Sequence, residues 1–140
     1  MEMKSIGNIT IISDCYNANP DSMKAGLKAL SDMSKSHRKI AVLGDMFELG
    51  ELSQNLHKEI GEFINTLHID GVVTIGKETK QIHKAISESS EVKEKHHFGK
   101  KEDANSWLDK NIQQEDILYI KASHGMKLET ITQFLENKLK

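Results

Sequence analysis

The chain has 140 residues, 37% of them hydrophobic and 29% charged, with a formal net charge of −2. That is the length of one domain with a core of its own, and the composition excludes collagen-like and disordered classes. A near-neutral balance and 5% aromatics leave no broad positive field and few stacking platforms for nucleic acid, and a single cysteine excludes an internal disulfide framework.

Residues 1–7 are short and mixed and do not read as a signal peptide. Residues 8–13 (NITIIS) form a β-branched run that predicts a strand. Asn19-Pro20-Asp21-Ser22 then carries helix-start signals, and Met23, Leu27 and Leu30 make one helical stripe. Residues 39–43 (KIAVL) predict a buried strand ending in Gly44-Asp45. Leu56, Ile60, Phe63, Ile64 and Leu67 mark the clearest amphipathic helix. Residues 71–75 (GVVTI) predict a strand, and Ile82, Ala85 and Ile86 a shorter helix. Residues 96–98 are a weak strand. Ala104, Trp107, Leu108 and Ile112 mark a helix, residues 116–121 (DILYIK) a strand, and Leu128, Ile131, Leu135 and Leu139 the last helix. No run approaches the roughly 18 apolar residues of a membrane span, so a soluble, cytoplasmic protein with no membrane partner is expected.

This alternation predicts an α/β domain: a mostly parallel sheet of about five to six strands with helices on both faces. Ligands of such open sheets sit beyond the carboxyl ends of the strands. Three polar segments belong there: 14–22 after the first predicted strand, 44–51 after the second and 122–127 after the last.

Several motifs carry less than they suggest. Gly71 to Glu78 matches G-x-x-x-x-G-K, but Glu78 stands where a phosphate loop needs Ser or Thr, and the residues between the glycines belong inside a strand. The seven histidines include no H-E-x-x-H pair, and His96 and His97 would point to opposite sides of a strand. No metal site is expected. Cys15 has no identifiable base and reads as a small buried residue.

The three edge segments admit two readings each. Asp14-Cys15-Tyr16-Asn17-Ala18-Asn19-Pro20 is either a helix-entry loop capped by Asn19 or Asp21, or a binding loop. In the second case its carboxylate could accept from a ribose diol, its amides could pair with a base edge or peptide, and its phenol could stack. Gly44-Asp45-Met46-Phe47-Glu48-Leu49-Gly50-Glu51 is an acidic surface loop or a lid or domain interface. Lys121-Ala122-Ser123-His124-Gly125-Met126-Lys127 suits an anion ahead of a helix, or is a plain capped loop.

Taken together and in this order, these segments closely resemble the C-terminal domain of the MurF-type Mur ligases, over a span from about Gly7 to the end of the chain. His57 also falls where that family usually has a histidine after the second motif. The third motif departs from the family's frequent Lys-Gly-Ser-Arg, with Ala122 and His124 in place of Gly and Arg. The resemblance implies a single Rossmann-like three-layer domain over 1–140, with residues 1–6 read as interdomain linker or as residues added ahead of the domain.

It further implies part of an enzyme that uses ATP and Mg2+ to add D-Ala-D-Ala to UDP-N-acetylmuramoyl-tripeptide through an acyl phosphate. The N-terminal and central domains are its partners, and the central one holds most of the nucleotide and the magnesium. By position, Asp14 would hold the ribose hydroxyls, with Tyr16, Asn17 and Asn19 near the adenine or the dipeptide junction. Asn17, Lys121, Ser123 and His124 would face the dipeptide. Asp45, Glu48 and His57 would shape the domain interface or support the loops. No catalytic residue is expected in this domain alone, and alone it should be inactive, since phosphoryl transfer needs phosphates and metal held in line. A stand-alone nucleotide or dipeptide sensor, and the same domain from a Mur ligase with another amino-acid substrate, are the alternatives.

Overall fold

A computed structural model describes residues 2–139. Six strands, β1 (Glu2–Ile6), β2 (Ile9–Asp14), β3 (Lys39–Gly44), β4 (Gly71–Ile75), β5 (Glu94–Phe98) and β6 (Ile117–Lys121), form one sheet in the order β1-β2-β6-β3-β4-β5. Only β1 runs antiparallel to its neighbour. Five helices complete the fold: α1 (Pro20–Ser31), α2 (Ser53–Ile64), α3 (Lys80–Ala85), α4 (Lys101–Asn111) and α5 (Glu129–Leu139). This is the expected Rossmann-like α/β domain. No helix among the described residues is long and apolar enough to cross a membrane.

The central strands are buried on both faces, so their side chains divide by parity between two apolar layers. Ile12, Ala41, Leu43, Val72 and Tyr119 meet Met23, Leu27 and Leu30 of α1, Ile60 and Ile64 of α2, and Ile82 of α3. Ile11, Ile40, Val42, Val73, Leu118 and Ile120 meet Ala104 and Leu108 of α4 and Ile131 and Leu135 of α5. The chain winds outward from β3 to β5, then returns through α4 to place β6 between β2 and β3. That reversal puts α4 and α5 on the opposite face. It also brings the carboxyl ends of β2, β6 and β3 side by side, which are the ends carrying the three polar segments.

Glu2–Ile6, in the stretch read as linker or as residues added ahead of the domain, forms the edge strand of the sheet. Gly7 and Asn8 close a two-residue hairpin, with Ile6 opposite Ile9 and a φ of 59° at Gly7. A positive φ at the first loop position is the demand that glycine meets in such turns. Gly71–Ile75 is a buried strand, so the G-x-x-x-x-G-K match is no phosphate loop. The last helix begins later than its apolar stripe suggested. A short 3-10 turn at His124–Met126 and a left-handed Lys127 precede it, and Glu129 occupies its first turn. An acidic residue there occupies the helix end that was expected to suit an anion.

Candidate functional site

Asp14 and Lys121 are the last residues of adjacent strands and lie opposite each other in the β2–β6 register. Both side chains project to the α1 face, as Ile12 and Tyr119 do two residues earlier. Lys121 is buried at 2% exposure, and its Nζ donates to Asp14 Oδ2 at 2.8 Å and to the Asn17 carbonyl at 3.0 Å. The ammonium therefore neutralises the carboxylate and pins the loop behind it, while the Asp14 side chain keeps 25% of its surface exposed. Lys121 points inward to Asp14, so at most one of its three N–H groups remains for a ligand.

Beside this pair lies a cleft of about 260 Å³, lined by Glu2, Ser13, Asp14, Cys15, Tyr16, His124 and Glu129. Tyr16 is 84% exposed. Its ring faces that of His124 with centroids 6.1 Å apart, so the first and third segments supply the two sides of the cleft. Asn17 is exposed. Asn19 is the N-cap of α1: its Oδ1 accepts from Ser22 N at 2.9 Å, and the Ser22 hydroxyl accepts from Asn19 N at 3.1 Å. The capping reading of Asn19 thus holds, and its amide N–H2 remains a donor to solvent or ligand. Cys15 is buried, with Sγ 3.7 Å from the Ile120 carbonyl. Burial pushes its thiol up, which disfavours the nucleophilic thiolate.

The second and third segments are tied by backbone. Ser123 N donates to Asp45 O at 3.1 Å, and Phe47 N donates to Ser123 Oγ at 2.8 Å. Ser123 is 8% exposed. A hydroxyl that accepts one bond still has its own proton to give. A Cβ at Gly44 would stand 2.6 Å from the Ala122 methyl, and one at Gly125 2.7 Å from the Phe47 ring. Gly44 is therefore required by close approach to buried Ala122 and Leu128, whereas at Gly125 the neighbour is the exposed Phe47 ring, which can turn aside. Glu48 is exposed with φ 65°.

Asp45 turns inward. Its carboxylate accepts three backbone N–H groups of the β4–α3 loop: Lys77 at 3.1 Å, Glu78 at 3.0 Å and Thr79 at 2.9 Å. It is 6% exposed, so it supports the loop from behind and offers little to a neighbouring domain. His57 is fully buried in α2, with Nδ1 2.8 Å from the Ser53 carbonyl and Nε2 accepting from Met46 N at 3.1 Å. A carbonyl only accepts, so Nδ1 carries the proton and the ring is neutral. His57 is thus a clamp that fixes the second segment to α2. Neither this clamp nor the Asp45 cap is visible in local sequence, because their partners lie elsewhere in the chain.

His96 and His97 do diverge. His96 packs on Trp107, with ring centroids 4.6 Å apart, and His97 faces His83 and Thr74 on the other side. Among the described residues no three His, Cys, Asp or Glu side chains converge as a metal ion requires.

The architecture is that of a mostly parallel α/β domain with a reversal of strand order at its polar edge. The chain belongs to the Mur ligase family, matching its glutamate ligase domain over residues 1–124. It is 38% identical over 133 residues to the UDP-N-acetylmuramoyl-tripeptide–D-alanyl-D-alanine ligase of Bacillus subtilis, covering 95% of this chain and 29% of that protein. Among solved structures, MurF from Acinetobacter baumannii superposes with a TM-score of 0.85 at 27% identity, over 97% of this chain and 30% of that one. MurF ligase from Thermotoga maritima in complex with ADP gives 0.79 at 28% identity, over 98% and 30%. The chain thus spans less than a third of the length of each of these three relatives.

Proposed function

We propose that the chain acts as the C-terminal domain of a UDP-N-acetylmuramoyl-tripeptide–D-alanyl-D-alanine ligase. The observation that carries this reading is the convergence of the three family-like segments on neighbouring strand ends, joined by the Lys121–Asp14 pair. Asp14 accepts the two hydroxyls of the ATP ribose, held in place by Lys121 rather than by solvent. Tyr16 offers its exposed face at the adenine side, and Asn17 and Asn19 offer amide donors at the junction with the dipeptide. Ser123 and His124 approach the dipeptide's carboxylate from the opposite wall, while Lys121 acts there chiefly through Asp14 and the Asn17 loop. Asp45 and His57 keep the second segment in place behind them, and the exposed Glu48 faces the neighbouring domain.

ATP, with Mg2+ held by the other domains, supplies the phosphoryl group that activates the tripeptide carboxylate; the dipeptide amine then displaces phosphate. This chain binds and orients, and it has no ligation activity alone, because the phosphates must be held in line by groups it lacks. The ADP in the Thermotoga maritima relative supports the nucleotide assignment.

The test is an amide NMR titration of the chain with Mg-ATP, then with D-Ala-D-Ala. The expected result is weak, millimolar-range shifts confined to residues 14–22 and 122–127, with the ATP shifts lost in Asp14→Ala. Tight binding by the isolated chain would replace this reading with an autonomous sensor. Shifts at the amino ends of the strands would remove the site assignment.

A further inference from the structure

The cleft beside Asp14 is poor in the charge that a ligand carboxylate needs. Its lining carries carboxylates from three elements: Glu2 on β1, Asp14 on β2 and Glu129 in the first turn of α5. Lys121 of β6 is buried, and its ammonium is spent on Asp14 and on the Asn17 carbonyl. It therefore cancels Asp14 and leaves Glu2 and Glu129 as the remaining charge of the lining. Ser13, Cys15 and Tyr16 supply hydroxyls and a thiol but no cation. Among the described residues, His124 is then the one lining group that can become positive. It is exposed, and its ring stands 6.1 Å from that of Tyr16 across the cleft. Lys127, three residues on, is exposed but lies outside the lining.

We propose that His124 is a charge switch for this cleft, favouring a ligand carboxylate when its imidazole is protonated and disfavouring it when the ring is neutral. This rests on the dipeptide reading above and adds a means of regulating it. An imidazole changes charge within roughly pH 5 to 8, where an ammonium or guanidinium stays fully charged. On the acid side of that change the imidazolium pairs with the carboxylate and offsets Glu2 and Glu129. On the alkaline side the ring brings no charge, and the carboxylate meets only like charges. Affinity for a carboxylate therefore falls as pH rises, whereas a ligand without one is indifferent to the switch. One unit charge at about 5 Å in a wet cleft changes affinity by roughly 3- to 10-fold.

The test compares D-Ala-D-Ala with D-alanine ethylamide, which keeps the amine and the peptide bond but lacks the carboxylate. Each is titrated into the 140-residue chain at about pH 6.0 and about pH 7.5, either side of the middle of the imidazole range, and followed by the amides of residues 122–127. Affinities are compared rather than shift positions, because the ring's own titration moves these amides too. The dipeptide should bind roughly 3- to 10-fold more tightly at the lower pH, and the ethylamide equally at both. His124→Arg should bind the dipeptide tightly at both values, and His124→Gln weakly at both. Equal dipeptide affinity at the two values in the parent chain, a pH dependence that survives His124→Gln, or the same dependence for the ethylamide would each overturn the switch while leaving the dipeptide reading in place. No saturable shifts from either compound would remove the dipeptide from this cleft, and the switch with it.

Discussion

Asp45 concentrates the most structure in one side chain. Three backbone N–H groups of the β4–α3 loop point at its two oxygens, and a Cβ at Gly76 would stand 2.6 Å from them. Asp45→Ala strands three donors at a mostly buried site, so a loss of about 2–4 kcal/mol is expected in urea unfolding. Asp45→Asn keeps one acceptor oxygen and should lose less than the alanine change. A loss for Asp45→Ala below about 1 kcal/mol would mean that water replaces the carboxylate. Chemistry of this kind was only half legible in sequence. The Asn19 cap was readable because its partner is three residues away. The Asp45 cap was not, because its partners lie 32 to 34 residues on, and an acid between glycines looks the same whether it faces solvent or a loop. Lys121 was half legible for a related reason. A lysine at a strand's end suggests a cation for a ligand, and only the β2–β6 register shows that its first partner is Asp14.

At the scale of elements, α1 and β6 fit through a single glycine. A Cβ at Gly26 would lie 1.7 Å from the Tyr119 hydroxyl oxygen and 2.5 Å from its ring carbon. Alanine is otherwise the better helix residue by about 1 kcal/mol. The steric conflict should reverse that sign, so Gly26→Ala is expected to destabilise by about 1 kcal/mol or more. Adding Tyr119→Phe should recover part of this loss, since the oxygen goes and the ring carbon stays. The meeting of α3 with β4 and β5 makes a pH-dependent contribution. Burial lowers the values of His83 and His97, helped by the charges of Lys95 and Lys80 respectively. The unfolded chain therefore takes up protons at these positions first as pH falls through about 6.5. Stability from this pair is complete above that value and is lost on descending through it towards the folded-state values. The urea midpoint should fall between about pH 7.5 and pH 5.5, and less so in the His83→Gln/His97→Gln variant. An unchanged slope would place the titration elsewhere. Most elements were legible because each buries a stripe or a run whose period survives in sequence. β1 was not, because four of its five residues are exposed and it presents no apolar pattern. Its one readable signal was the Gly7-Asn8 pair, a hairpin dipeptide between two short runs.

For the molecule as a whole, the sheet serves both apolar layers at once, since alternate residues of every central strand belong to opposite sides. Neither layer can open without exposing strands that the other also covers. The chain should therefore unfold in one cooperative step, with far-ultraviolet circular dichroism and tryptophan fluorescence of Trp107 giving the same urea midpoint. The loops at the carboxyl edge contribute differently. Tyr16 and Leu52 are 84% and 61% exposed, so little apolar area is removed from water at either position, and surface changes of this sort usually fall within about 0.5 kcal/mol. Tyr16→Ser and Leu52→Ser should leave the midpoint and the cooperativity of the chain almost unchanged. If the edge is where ligand and neighbouring domains meet, Tyr16→Ser should nevertheless weaken the Mg-ATP shifts at residues 14–22. The two readouts separate cause from consequence. A midpoint that drops with Tyr16→Ser would make the tyrosine part of the fold, whereas unchanged shifts at full stability would remove it from the nucleotide side of the cleft.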